Sequence, residues 1–304
     1  MLSTILVNWN TRDLLAAAIA SVPPVVAGMP VEIIVVDNAS TDGSPEMLAA
    51  RFPGTRLIRN TENVGFGRAN NQGFALARGS YVLLLNSDAV LEPGALELMV
   101  ADLAAHPAAG ATGARLRYPD GRPQASFGAF PSLASYALEL GGMARSQPGD
   151  AALRPEESGH DVPGSVDWVV GACLLLRRAA LDDMGGFDPG YYMYAEEMDL
   201  CQRLWKTGWA VRYCPEAVAV HHGGQSTRQR AIEQPRMLWE SRMRFFRSHR
   251  PRWQAHCLAG LIRAAYLARG VVWSARARVS DDGAIDSWHD RARSAWHLLA
   301  TFRA

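Results

Sequence analysis

Through roughly the first 120 residues, short apolar runs rich in β-branched side chains alternate with segments of helical periodicity. Residues 5–7, 33–36, 56–58 and 81–85 read as strands. Residues 13–20, 45–51, 67–77 and 93–105 read as helices, the last with Pro93 in its first turn. Helical crossovers between successive strands force a mostly parallel sheet with helices on both faces. The fold class is α/β. Ligands of such sheets bind beyond the carboxyl ends of the strands. The loops after Val7, Val36, Ile58 and Leu85 are therefore where chemistry is expected.

Residues 119–163 are rich in Gly, Pro and Ser and read as an insertion with little regular structure. A strand at 166–176, a helix at 196–206 and a strand at 210–213 follow. Beyond His221 the chain turns into Arg- and Trp-rich helix. Two domains are expected: residues 1–226 carrying the sheet and the insertion, and residues 227–304 forming a basic, helical C-terminal region. The formal net charge of +1 rules out bulk polyanion binding as the main business, and no nucleic-acid partner is expected. It conceals an asymmetry, since residues 227–304 hold 15 Arg against 6 Asp and Glu.

Cys173, Cys201, Cys214 and Cys257 form no CxxC pair and read as apolar fillers in a reducing cytoplasm. With the first strand beginning almost at once, no signal peptide is expected. Residues 14–31 carry no charge, but Pro23-Pro24 breaks them, so a helix and a loop are expected instead of a membrane span.

Two loops stand out. After Val36 comes Asp37-Asn38-Ala39-Ser40-Thr41-Asp42-Gly43-Ser44, an acid at a strand end followed by a donor-rich turn. A polar turn with a helix cap at Ser44 would look the same. After Leu85 comes Asn86-Ser87-Asp88, whose spaced oxygen-bearing side chains suit a hard divalent cation.

Taken with further blocks in order, these loops resemble the family 2 glycosyltransferases of the GT-A fold, and in particular their bacterial rhamnosyltransferase-like branch. The blocks are Val7-Asn8-Trp9-Asn10, the Asp37 loop, and Asn63-Val64-Gly65-Phe66-Gly67-Arg68-Ala69-Asn70-Asn71-Gln72-Gly73. Asn86-Ser87-Asp88, Val170-Gly171-Ala172-Cys173 and Gly185-Gly186-Phe187-Asp188 follow, then Tyr194-Ala195-Glu196-Glu197-Met198-Asp199 and His221-His222-Gly223-Gly224-Gln225-Ser226. They cover roughly residues 3–227. The resemblance implies a GT-A, Rossmann-like fold with a C-terminal helical extension. It also implies an inverting transferase moving a sugar from a nucleotide diphosphate-sugar to a hydroxyl of a cell-envelope glycan or lipid-linked acceptor. TDP-rhamnose is the branch's inclination for the donor.

By the same resemblance Asp37 recognises the base, and Asn8, Asn10, Asn38, Asn63, Gly65, Arg68, Asn71, Asn86, Ser87 and Gly171 hold the nucleotide-sugar. Asp88 and His221 are metal ligands for Mg2+ or Mn2+, with Asn86 replacing the first acid of the usual D-x-D. Trp168, Asp188 and Tyr194 line the acceptor side, although Trp168 could equally be core. Glu197 takes the place of the catalytic base beside Glu196. Helical spacing places Glu197 over Leu200, Cys201 and Leu204 on an apolar stripe, with Asp199 pairing outward to Arg203.

For the tail, a peripheral place at the inner face of the cell membrane and packing in a homo-oligomer both stay open. Projected at about 100° per residue, Arg263, Arg269, Arg276 and Arg278 share no face, which predicts no clean interfacial helix. A sugar-phosphate nucleotidyltransferase would need a Gly-rich loop where Asn8-Trp9-Asn10-Thr11-Arg12 stands. A degenerate, non-catalytic nucleotide- or partner-binding member is the other alternative.

Overall fold

Leu2, Ile5 and Leu6 are fully buried because the strand they belong to, β1 (Leu2–Asn8), has sheet on both sides. The computed structural model describes residues 1–142, 163–224, 233–279 and 285–302 of the 304-residue chain. Within it β1 runs parallel to β3 (Met29–Asp37) and to β5 (Tyr81–Leu85). β3 pairs in parallel with β4 (Arg56–Arg59) and antiparallel with the short β2 (Val25–Val26). The crossovers are α1 (Arg12–Ala20), α2 (Ser44–Arg51) and α3 (Phe66–Leu76), which is the βαβ series expected from the sequence. The register sets Asn8 beside Asp37, so the polar ends of two buried strands meet at one edge.

The other half of the sheet is mixed. After β6 (Ala89–Leu91) and α4 (Ala95–Ala105), β7 (Ala109–Arg117) lies between β12 (Cys173–Arg177), antiparallel, and β13 (Ala210–His221), parallel. β12 also pairs antiparallel with β5 and joins the two halves. No local pattern marks β7, whose Ala-Gly-Ala-Thr-Gly-Ala is a poor strand former. Packing decides it. A Cβ on Gly113 would stand 2.6 Å from the Cβ of Val169, so only glycine lets the neighbouring layer approach.

The insertion also differs from expectation. Its described part carries β8 (Pro123–Gln124), β9 (Phe127–Gly128) and α5 (Leu133–Leu140), while residues 143–162 lie outside the described residues. β8 pairs with β7, and β9 with β11 (Trp168–Val169). The strand expected at 166–176 is broken, because Val170-Gly171-Ala172 turns the chain between β11 and β12. β10 (Gly164–Ser165) pairs with β13, and α6 (Arg178–Met184) and α7 (Glu196–Lys206) lead to β13, which runs on to His221 rather than ending at Tyr213. Cys173, Cys201 and Cys214 are buried fillers; burial pushes the Cys173 and Cys201 thiols up to about 12 and Cys214 to about 11.

Residues 1–130, 163–192 and 196–224 form one compact unit, and residues 131–142, 193–195 and the described residues from 233 onward form a second. The second unit contains α5, α8 (Gln234–His249), α9 (Arg252–Val279) and α10 (Ile285–Thr301). Among its described residues Arg242 carries a buried charge. Arg242 is 2% exposed, pairs with both oxygens of Glu139 at 2.9 and 3.1 Å, and lies over the Tyr136 and Trp239 rings. Among the described residues no helix is long and apolar enough to cross a membrane.

Candidate active site

Three strand ends and one helix start carry the polar groups. At the end of β1, Asn8 is fully buried; its Nδ2 donates to Asp37 Oδ1 and Ser40 Oγ, both at 3.0 Å, and its Oδ1 accepts Thr11 Oγ1 at 2.7 Å. Thr11 Oγ1 lies 2.8 Å from Ser87 Oγ, which ties the first loop to the Asn86-Ser87-Asp88 turn. Asp37 also accepts the Ser40 N–H at 3.0 Å and is 2% exposed, so it belongs to a buried network and not to an open surface loop. Asn10, with φ of 53°, accepts the Thr41 N–H at 2.7 Å and fixes the donor-rich turn. Asn38 is buried and accepts from Asn60 at 2.8 Å. The helix cap falls on Gly43, with Ser44 already inside α2.

The Asn63–Asn71 segment is held differently from expectation. Asn63 accepts the Gly65 N–H at 3.0 Å, and a Cβ on Gly65 (φ of 89°) would overlap the Tyr192 carbonyl. Arg68 donates to the Pro189 carbonyl at 2.8 Å. Asn71 spends both ends of its amide on the Phe187 backbone, at 2.8 and 2.9 Å. These contacts brace the Phe187–Tyr192 loop. Within that loop Asp188 caps the Gly190 N–H at 2.8 Å.

Asp88 and His221 come together because β6 pairs with β13, setting Ala89 opposite His221. His221 Nε2 lies 3.2 Å from Asp88 Oδ1 and 3.3 Å from Asn86 Nδ2, and both Asp88 and His221 are 7% exposed. His221 Nδ1 lies 3.0 Å from Gln124 Oε1. With Nδ1–H donating to Gln124, Nε2 presents its lone pair toward the carboxylate. A carboxylate oxygen and an imidazole nitrogen converging in this way, beside an amide that can offer its oxygen, are a donor set that fits a divalent cation. No three His, Cys, Asp or Glu side chains gather to hold a metal among the described residues. The end of the His221 block, Gln225-Ser226, lies outside them.

At the start of α7 the two acids differ. Two consecutive left-handed residues, Tyr194 (φ of 72°) and Ala195 (φ of 60°), lead into the helix. Tyr194 groups with the second unit. Glu196 is 4% exposed and its Oε2 has no hydrogen-bond partner, whereas Glu197 is half-buried and receives the Gly171 N–H. Burial, and then the Glu197 charge, hold the Glu196 carboxyl well above the ordinary range. Burial also raises Glu197, opposed by N–H groups of its own backbone and of Gly171. The helical stripe had placed Glu197 at the buried end; the deeper acid is Glu196. Asp199 is not outward either, being 2% exposed and bonded to Arg203 Nε at 2.8 Å. Trp168 is buried and donates to the Ala129 carbonyl at 3.1 Å.

The raised carboxyls make a stability prediction. A native acid with a raised pKa binds its proton more tightly than the unfolded chain does, so its stabilisation is full below the ordinary value of 4.5 and is lost as pH rises through the native value. Glu196→Gln keeps the shape of the protonated acid. Its melting temperature is expected to draw ahead of wild type as pH rises from about 5 to 8, and to match it at the acid end. Parallel melting curves across that range would remove the proton from Glu196.

The sequence profile of glycosyl transferase family 2 matches residues 3–185, more than half of the chain. The chain belongs to that family. A second profile, glycosyl transferase family 21, matches residues 151–278. An N-acetylglucosaminyl-diphospho-decaprenol L-rhamnosyltransferase of Mycobacterium tuberculosis is 35% identical over 211 residues, which are 65% of this chain and 68% of that one. Among solved structures, the mannosyltransferase PcManGT from Pyrobaculum calidifontis, in complex with GDP-Man and Mn2+, superposes with a TM-score of 0.57 at 17% identity. That match covers 100% of this chain and 88% of the other. Glucosyl-3-phosphoglycerate synthase from Mycobacterium tuberculosis gives 0.51 at 17%, over 81% and 78% of the two chains. The fold of this family 2 glycosyltransferase is thus GT-A, with its helical C-terminal part present.

One residue of the candidate site has no signal in the sequence. Gln124 sits in the stretch read as irregular, and only the pairing of β8 with β7, Leu116 opposite Gln124, puts it against His221. No local pattern marks it.

Proposed function

We propose that this family 2 glycosyltransferase moves a sugar from a nucleotide diphosphate-sugar to a hydroxyl of a lipid-linked or other cell-envelope glycan, with inversion at the anomeric carbon. The observation that carries the reading is the unequal Glu196–Glu197 pair. Burial raises both carboxyls, Glu196 the more strongly, which supports Glu197 as the group that accepts a proton. As the acceptor oxygen attacks, its proton passes to Glu197, the new C–O bond forms, and the bond to the diphosphate breaks with its electron pair leaving on the phosphate. The buried Asn8–Asp37–Ser40 network holds the base-recognition loop, and Asp88 and His221, with Asn86, would hold a divalent cation. Such a cation offsets charge on the diphosphate. An imidazole ligand favours Mn2+ over Mg2+. The mycobacterial relative, an L-rhamnosyltransferase, supports rhamnose as the sugar moved.

The test is a transfer and donor-hydrolysis assay over TDP-, UDP- and GDP-sugars, with and without manganese. Turnover of TDP-rhamnose above the others supports the reading, turnover of another donor replaces the sugar, and binding without turnover marks a non-catalytic member. Gln124 gives a separate check. Gln124→Leu leaves the His221 ring unheld, and manganese affinity, read by calorimetry, is expected to fall about tenfold or more. Unchanged affinity would leave Gln124 with packing alone.

A further inference from the structure

Within the second unit, the 28-residue α9 has two apolar faces. Ala255, Leu258, Ala259, Ile262, Tyr266 and Ala277 are buried. Opposite them stand Trp253, Leu261, Leu267, Val271, Val272 and Val279, exposed by 60, 37, 52, 56, 49 and 82%. At about 100° per residue these six fall within one arc of roughly 140°, filled in by Cys257, Ala264, Ala268 and Ala275. Arg278 lies within the arc near its C-terminal end, where a long side chain can reach past its edge. A helix with one buried apolar face and a second one open to solvent cannot gather its arginines on one side, which is why they scatter in projection. Arg252, Arg263, Arg269 and Arg276 flank the stripe instead. Arg252, His256 and Arg263, with Arg247 from α8, line a cavity of about 550 Å3 floored by Met243, Ala255 and Ala259. Among the described residues none of these three arginines pairs with a carboxylate.

We infer that α9 lies in the plane of an anionic phospholipid surface, its Trp253–Val279 stripe among the upper acyl chains and its Arg247–Arg252–Arg263 cavity around a lipid phosphate. Charge complementarity fixes the choice of occupant. A second copy of the chain would bring the same arginines face to face around the stripe, whereas a leaflet supplies apolar chains and phosphates side by side. The inference deepens the proposed function, since a lipid-linked acceptor would be met at such a surface, but it concerns binding and not transfer.

Cys257 is exposed on the stripe while Cys173, Cys201 and Cys214 are buried, so the whole chain can be labelled there with an environment-sensitive fluorophore. Vesicles of phosphatidylglycerol and phosphatidylcholine, added without sugar donor or acceptor, are expected to shift the emission to the blue and to sediment with the protein. Pure phosphatidylcholine should do so at least about tenfold more weakly. Leu267→Ser with Val271→Ser, and separately Arg252→Glu with Arg263→Glu, are each expected to lose the shift while transfer to a water-soluble acceptor stays at the wild-type rate. Absence of binding to anionic vesicles, or binding that both double variants keep, overturns the inference and leaves the transferase reading standing. A blue shift that grows with protein concentration alone assigns the face to a second copy and overturns it equally. Vesicle binding in a protein that transfers no sugar keeps the inference and removes the proposed function.

Discussion

Glu197→Gln is expected to lower the sugar-transfer rate about 100-fold or more while leaving donor affinity nearly unchanged. A sugar hydroxyl is a weak nucleophile unless its proton leaves as the new bond forms. Glutamine keeps the size of Glu197 and can still accept the Gly171 N–H, but it cannot take that proton. Glu196→Gln makes the control. Glu196 is the deeper acid, its carboxyl held above the ordinary range by burial, and glutamine mimics its protonated form. Its rate is expected to stay within about tenfold of wild type. The wild-type rate should also fall as pH drops through the raised Glu197 value, which lies above the ordinary 4.5, because protonation removes the base. Single-turnover rates and donor titrations on both variants decide it. A larger loss at Glu196 would transfer the role to the buried acid and would make the unpartnered Oε2 the acceptor's contact.

Asp88→Ala is expected to weaken manganese-dependent binding of a nucleoside diphosphate about 100-fold or more, a larger loss than removing a supporting group such as Gln124. Asp88 is the only carboxylate at the His221–Asn86 cluster in the described structure, so alanine leaves no charged donor there. Asn86→Asp should act the other way, tightening cation binding by adding a second charge. Calorimetry with and without manganese measures both. An Asp88→Ala protein with wild-type nucleotide affinity and wild-type manganese dependence would separate the cluster from the diphosphate.

The loops that hold Asn8, Asp37 and Asp88 were legible in the sequence because each follows directly on a buried strand, and parallel register carries the ends of neighbouring strands to one edge. The start of α7 was legible as a helix with two acids, but not which of them is deeper. Periodicity tells which residues share a face, while the packing around a helix entered through Tyr194 and Ala195 sets how deep each sits. β7 was hidden because glycine and alanine carry no strand signal; its place between β12 and β13 makes it one. The exposed stripe of α9 is made of apolar side chains, so the projection of its arginines does not reveal it.

What the sequence determined by itself was the α/β order and the chemical inventory at the strand ends, because hydrophobic period and turn chemistry act between near neighbours along the chain. Only the tertiary structure decided that Gln124 holds the far side of the His221 imidazole, and that Glu196 is buried while Glu197 is half-buried. Strand pairing and burial join residues far apart in the chain, and no local pattern encodes which partner covers which side chain.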